Sequence, residues 1–247
     1  MMFSYVSGNI YESEDIRSIT GDTIRPGGFK LTDRAVEFCD FKKDYKILDI
    51  GCGMGATVAY LQDKYALDAL GIDPSDKLLL YGKNKNSKLN IYKGIGEALF
   101  FEDDEMDGVF CECTLSLMND KYKVISEIHR VLKNRGYVII SDVYAKNPNY
   151  IKELEKFGMG SCIRGVHDIE DLKEKLRENG FRINFFEDYT NYLKQMIVDI
   201  IFQFGSIDVF WRKAGKCNSV PDKFKKVLSR SKIGYFLLIA QKTGKDD

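Results

Sequence analysis

The seven residues Asp49-Ile50-Gly51-Cys52-Gly53-Met54-Gly55 set three alternating glycines behind an acid. Glycine reaches backbone angles closed to other residues, and without a Cβ it lets a ligand approach the main chain. A buried-strand pattern, Tyr45–Ile50, runs into this turn, and a helical pattern over Ala56–Lys64 runs out of it. Such a junction holds a ligand in the crevice at the carboxyl end of a sheet. Two ligand classes compete for it. Gly51-x-Gly53-x-x-Ala56 satisfies the loose dinucleotide fingerprint, a weak match taken alone. Asp49 argues the other way: two residues ahead of the first glycine, it orients the turn or meets an amino group, and it repels a pyrophosphate.

Further polar groups fall at the ends of the next apolar runs. Asp73, followed by Pro74, stands 22 residues after Gly51, where an acid can accept both hydroxyls of a ribose. Both cofactor classes use such an acid, and the competing role is to cap the helix beginning near Ser75. In Gly94-Ile95-Gly96-Glu97-Ala98, Glu97 can accept from an adenine amino group while the Ala98 N–H meets a ring nitrogen. The plainer alternative is an ordinary turn with an exposed acid. Phe100 and Phe101 suit an adenine wall or the core. The two histidines are too sparse for a metal site, and none is expected. His129 reads as a structural residue in mid-helix. His167, just before the capping acid Asp168 and close to Cys162, is a conceivable base.

The elements that must position these groups alternate. Strands are expected at Tyr45–Ile50, Asp68–Ile72, Asn90–Lys93, Gly108–Glu112, Tyr137–Val143, Phe181–Glu187 and Gly234–Gln241. Helical spacing appears at Leu31–Phe41, Ala56–Lys64, Ser75–Lys83, Lys121–Leu132 and Ile169–Glu178, the last ended by Asn179-Gly180. Tyr192–Trp211 reads as one long helix, with a short one after Pro221. Strand–helix alternation implies right-handed crossovers and a parallel sheet. The expected fold is α/β, a doubly wound, seven-stranded, mostly parallel sheet with an antiparallel last strand. The 247 residues form one domain, with residues 1–30 as an N-terminal cap and 190–232 as a helical insertion before the last strand.

Composition limits the function classes. Lys+Arg and Asp+Glu both total 37, so the formal net charge is zero, which argues against a nucleic-acid or membrane-surface partner. The basic lean of the last third, from Arg212 to Lys232, reads as a solvated helix face. There is no apolar run of membrane-spanning length and no secretory signal pattern. The six cysteines are expected as reduced thiols in a cytoplasmic protein, a monomer or homodimer. No pair is spaced as CxxC, and Cys111 and Cys113 are expected on one strand, facing the same way.

The stretches KILDIGCGMGATVAYL, GIDPS, GEALFFEDDEMDGVF and EIHRVLKNRGYVIISDVY follow one another as do the motifs of the class I S-adenosylmethionine-dependent methyltransferases. The chain resembles the branch that includes quinone-biosynthesis and arsenite methyltransferases, over about residues 30 to 190. The resemblance implies S-adenosylmethionine as cofactor and a Rossmann-like methyltransferase fold. It assigns Asp49, Gly51, Cys52, Gly53 and Gly55 to the methionine part, Asp73 and Pro74 to the ribose, and Gly96, Glu97 and Ala98 to the adenine. Glu112, Cys113 and the residues to Leu115 would line the floor beneath the sulfonium. Asn134-Arg135-Gly136 stands where the family usually has a Pro-Gly turn. A weaker likeness, in Ser141–Ala145 and Gly160–Gly165, is to arsenite methyltransferases, and would make Cys162 an arsenic-binding thiolate. Cys39 and Cys217 are the only candidates for further thiols.

The sulfonium donor arrives activated, so a methyltransferase needs to align nucleophile, methyl and sulfur and exclude water. A base is needed only for a protonated acceptor. The expected function is methyl transfer to a small-molecule acceptor. The alternatives are a metalloid methyltransferase using Cys162, a non-catalytic cofactor-binding partner subunit and a nucleotide-dependent oxidoreductase. Catalytic candidates are Cys162, His167 and Tyr11, the last from the cap, which also offers Tyr5, Arg25 and the turn Pro26-Gly27-Gly28. Arg25 reads as an anion clamp or as part of the turn, the turn being preferred.

Overall fold

Lys46–Ile50 is flanked by strands on both sides, and alternation along it sends side chains to opposite faces. Ile47 enters one apolar cluster and Leu48 the other. The same alternation runs along Met106–Glu112 and Ile233–Lys242, where Tyr235, Leu237 and Ile239 face one way and Phe236, Leu238 and Ala240 the other. A sheet with two apolar faces requires helices on both, which the pattern of strands and helices supplies.

The computed structural model describes residues 10–12, 17–18, 21–157, 161–214 and 221–244. Its strands are β1 Lys46–Ile50, β2 Asp68–Asp73, β3 Ile91–Lys93, β4 Met106–Glu112, β5 Leu132–Ala145, β6 Phe181–Asp188 and β7 Ile233–Lys242. Their order is β3-β2-β1-β4-β5-β7-β6. The first five strands pair in parallel, and β7 lies antiparallel between β5 and β6. The expected doubly wound sheet with an antiparallel last strand is the fold observed. Helices α1 Lys30–Cys39 and α2 Ala56–Tyr65 cover one face with α3 Asp76–Lys85. On the other face lie α4 Lys121–Val131 and α5 Ile169–Glu178. Ser75 caps α3 by accepting from the Leu78 N–H at 3.2 Å, and Asp168 caps α5 through the Glu170 N–H.

Several expectations need correction. The apolar stretch Tyr192–Trp211 is two helices, α6 Thr190–Phe204 and α7 Ile207–Ala214, because Gly205 takes φ +80 and ends the first. A third, α8 Asp222–Ser231, follows Pro221. The Asn134-Arg135-Gly136 turn is absorbed into β5, with Arg135 at φ +65 beside a register shift against β4. Cys111 and Cys113 do not share a strand: β4 ends at Glu112, Cys113 has φ +59, and the two thiols enter opposite core faces.

Among the described residues no helix is long and apolar enough to cross a membrane. The pair α6–α7 packs on the chain before α1, through Ile200 and Phe210 against Tyr11 and Ile24. Lys30 also sits over the Tyr192 ring. β1 lies between β2 and β4, so successive crossovers leave it in opposite directions. A crevice opens there, at the carboxyl ends of the strands.

Candidate functional site

Asp49 and Glu112 are the last inward side chains of adjacent strands, and both lie on the wall of a cavity of about 470 Å³. That volume is within the range of small-molecule sites. The wall is completed by Gly51–Gly53, Ile72–Pro74, Gly94–Glu97, Cys113–Thr114, Leu117–Asn119 and a stretch of the N-terminal segment.

The glycine turn is held from two sides. The Ile72 carbonyl accepts from the N–H groups of Gly51 and Cys52, at 2.8 and 3.0 Å. Asp73 accepts from the Gly53 N–H through Oδ2 at 2.9 Å, and from the Ser75 N–H through Oδ1 at 2.8 Å. Gly51 has φ +77, and a Cβ there would lie 2.4 Å from Thr114 Cγ2, so a side chain is excluded on two counts. At Gly53, φ +55, a Cβ would meet only Leu78, at 3.9 Å, and the main chain faces the cavity. Gly55 does not line it: as the residue before α2 it packs against β3, where a Cβ would meet Ile91 at 3.0 Å.

Electrostatics divide the wall. Arg25 is 6 % exposed and bonded on every side: its Nη2 lies 3.0 Å from Glu112 Oε2, and it donates to Thr57, Thr32 and the Gly28 carbonyl. Glu112 also accepts from the Thr32 and Thr57 hydroxyls, at 2.8 and 3.0 Å. The N-terminal segment is thereby tied to β4, α1 and α2 by one closed network. Arg25 ends in this network beside its turn and is not a clamp for an acceptor, and Glu112 is engaged by protein groups rather than left as an open floor. Asp49 has no such partner: it is 4 % exposed and makes no hydrogen bond or ion pair among the described residues. Burial, with Glu112 and Asp73 adding to it against Arg25, pushes its carboxyl up to about 8. Burial also raises Asp73, opposed by the two N–H donors it accepts from.

The remaining expected residues separate clearly. Cys52, Pro74, Gly96, Glu97 and Cys113 line the cavity, as does Tyr11. Glu97 Oε1 accepts from the N–H groups of Asn119 and Asp120, bracing the loop after β4. Ala98 does not line the cavity; it is exposed and its N–H closes a turn to the Ile95 carbonyl, while Gly94 and Ile95 take the wall position. Leu115 is wholly buried on the far side of its loop, and Leu117 and Met118 face the cavity instead. Phe100 and Phe101 stand off it, Phe100 mostly exposed.

Of the catalytic candidates, only Tyr11 reaches the wall. Its hydroxyl accepts from the Cys162 N–H at 3.0 Å, and burial raises its pKa, so it is neutral near pH 7. Cys162 lies beside the wall rather than on it, its thiol pushed up to about 12 by burial, and no cluster of three metal-ligating side chains exists among the described residues. His167 is fully buried, with Nε2 3.3 Å from Asp142 Oδ2, and is remote from the cavity lining. Asp142 in turn accepts from the N–H and hydroxyl of Ser116, so the pair fastens two loops together. Tyr5 and Cys217 lie outside the described residues. Thr114 lies on the wall within the Glu112–Leu115 stretch expected there, whereas Thr32, Thr57, Ser161 and Arg164 were given no place at or behind it.

Comparison with known proteins agrees with this architecture. The family profile described as "Methyltransferase domain" matches residues 48–140. Phosphoethanolamine N-methyltransferase 1 of Zea mays is 29% identical over 174 residues, 68% of this chain and 34% of that protein. The arsenite methyltransferase of Halobacterium salinarum is 28% identical over 144 residues, 55% of this chain and 37% of that one. The chain spans about a third of the length of the curated relatives it matches first. Among solved structures, Haemonchus contortus phosphoethanolamine N-methyltransferase 2, bound to phosphomonomethylethanolamine and S-adenosylhomocysteine, superposes with a TM-score of 0.72. That match has 21% identity and covers 93% of this chain and 56% of the other. The sheet order and the glycine turn at the switch point agree with the methyltransferase domain whose profile matches residues 48–140.

Proposed function

We propose that the chain transfers the methyl group of S-adenosylmethionine to a small-molecule acceptor held in the same cavity. The observation that carries this reading is Asp49, a buried acid without a side-chain partner among the described residues, on the wall of a ligand-sized cavity that the Gly53 main chain also faces. A buried carboxylate is retained at such a cost where a cation meets it, and the α-ammonium of a methionine is such a cation. Asp49 would hold that ammonium, with the Gly51–Gly53 main chain beneath the amino-acid end. Asp73 keeps lone pairs for ribose hydroxyls beyond its two N–H bonds. Pro74, Leu78, Gly96 and Glu97 would enclose the base, with Ile95 in the place expected of Ala98.

When bound, the cofactor supplies an activated methyl group, and the residues of the chain need only orient the acceptor and exclude water. The N-terminal segment supports that role: Tyr11 and residues 22–25 form one side of the cavity and are locked to its floor through Arg25. Among the described residues no base other than the carboxylates stands on the wall, which suits an acceptor that arrives unprotonated. The metalloid alternative finds little support, because Cys162 is off the wall and its thiol is held protonated.

Calorimetric titration with S-adenosylhomocysteine and with NADH tests the reading. Micromolar binding of the first, about −8 kcal/mol, and none of the second is expected. Binding of NADH alone would overturn it. Transfer of labelled methyl from the cofactor into a metabolite pool then identifies the acceptor and separates an enzyme from an idle binding subunit.

A further inference from the structure

Two cationic side chains line the cavity, and they differ in one respect. Arg25 is neutralised by Glu112 at 3.0 Å. Arg164, on the wall formed by the loop after β5, makes no side-chain hydrogen bond or ion pair among the described residues. Three residues earlier, Ser161 is 2 % exposed and also on the wall, and its Oγ is buried with no hydrogen-bond partner among the described residues. Buried hydroxyls are rarely left unpaired, and an orphan on a residue that lines a cavity is a group that a ligand there can satisfy.

The two are presented by one turn. The Arg164 N–H donates to the Ser161 carbonyl at 3.0 Å, and the Cys162 N–H donates to Tyr11 from the N-terminal segment. Gly165 lets this turn press on the loop after β4, since a Cβ there would lie 2.0 Å from the Ser116 carbonyl oxygen. The turn lines the same cavity as Asp73 and Glu97 but comes from the chain after β5. A guanidinium fork and a hydroxyl on one turn, both without a side-chain partner among the described residues, are complementary to an oxyanion.

We infer that Ser161 and Arg164 form an anion subsite, so that the acceptor carries a carboxylate or a phosphate which this turn holds while the donor end stays acidic. The inference rests on the methyltransferase reading only for calling this ligand the acceptor; the anion subsite stands on its own residues.

The test is calorimetric titration of the full chain, loaded with S-adenosylhomocysteine, with phosphoethanolamine, inorganic phosphate, glycine and ethanolamine. At least one of the three anion-bearing probes is expected to bind, and ethanolamine, which lacks the anion, is not. Phosphate binding without glycine binding assigns a phosphate acceptor, and the reverse a carboxylate. Arg164→Gln should weaken the anionic probe by about tenfold to a hundredfold, the worth of a charge-assisted bond. Arg164→Lys should recover part of it, and S-adenosylhomocysteine affinity should stay within about twofold of wild type. Ser161→Ala should cost up to about tenfold without lowering the melting temperature, because its hydroxyl has no protein partner to lose. Failure of all three anionic probes to bind the loaded wild type, or unchanged binding in Arg164→Gln, overturns the inference. Should S-adenosylhomocysteine itself not bind, the methyltransferase reading fails, and inorganic phosphate titrated into wild type and Arg164→Gln without it still decides the anion subsite.

Discussion

Asp49→Asn is expected to stabilise the empty protein and cripple its cofactor binding, and the two effects share one origin. Burial first, then Glu112 and Asp73, push the Asp49 carboxyl up to about 8 against an unfolded value of about 3.9. The folded state therefore binds a proton that the unfolded chain releases between these limits. Stability falls as pH rises through that window, and is least above pH 8, where the carboxylate must be held ionised. By linkage the cost near pH 7.5 is of order a few kcal/mol, which an asparagine removes. Cofactor binding has the opposite sign. The ligand's ammonium requires the ionised form, so binding expels a proton, and affinity rises with pH until the carboxyl is ionised in the empty protein. With a pKa near 8 the fraction ionised grows about 25-fold between pH 6 and pH 7.5, which is about 1.9 kcal/mol of binding.

The assay is calorimetry with S-adenosylhomocysteine in buffers of different ionisation enthalpy, which reads both affinity and proton release. Wild type should release close to one proton per ligand at pH 6.5 and lose about 25-fold in affinity from pH 7.5 to pH 6. Asp49→Asn should bind about a hundredfold more weakly, release far less than one proton, and melt at a higher temperature than wild type at pH 7.5. An affinity that is flat across this range in wild type, or an Asp49→Asn protein that keeps the full slope, refutes the ammonium contact.

Other positions give separate checks. Gly51→Ala combines a positive φ with a contact 2.4 Å from Thr114 Cγ2, so loss of ligand binding and a melting point well below wild type are expected; a normal melt would show that the turn relaxes freely. Arg25→Ala leaves Glu112 buried without its counter-ion, a change worth about 3–5 kcal/mol, or roughly 6 to 20 °C of melting temperature for a chain of this size. Limited proteolysis should then cut ahead of residue 25, and an unchanged digest would show that the segment is held by something else. Cys162, its thiol pushed up to about 12, should alkylate with iodoacetamide far more slowly at pH 7.5 than an exposed cysteine, read on its own peptide by mass spectrometry. Rapid labelling would return it to the list of reactive groups.

What the sequence made legible follows the range of the interactions concerned. Strands with apolar alternation and helices with a clear capping residue, Ser75 and Asp168, were readable because the cause lies within a few residues of the effect. The glycine turn and Asp73 were readable because their roles depend on backbone angles and strand ends. Arg25 was not: its partners Thr32, Thr57 and Glu112 lie 7, 32 and 87 positions away and meet only when β4, α1 and α2 have packed. Leu115 and Ala98 were misplaced for a local reason. Each follows a strand by a few residues, in a loop whose rotation decides which side chain turns inward, and a shift of two or three positions exchanges Leu115 for Leu117 and Ala98 for Ile95. Ser161 was missed because an unmet hydroxyl leaves no trace in sequence; it is defined by the absence of a partner in space.

The closed Arg25 network also bears on the choice between cofactors that the glycine turn alone left open. A pyrophosphate needs cations or free N–H groups, and of the two cations lining the cavity among the described residues, Arg25 is consumed by Glu112. What remains beside the glycine turn is Asp49, unpaired, and Asp73. At an effective dielectric of about 20, two unit charges about 5 Å apart interact by on the order of 3 kcal/mol. Once ionised, at about pH 8 and above, the same carboxylate attracts an ammonium by an amount comparable to what it costs a phosphate. Glu112→Gln would free Arg25 for an anion, so this variant should lose preference for S-adenosylhomocysteine over adenosine diphosphate. If the preference is undiminished, the selection rests on the shape of the turn and not on its charge.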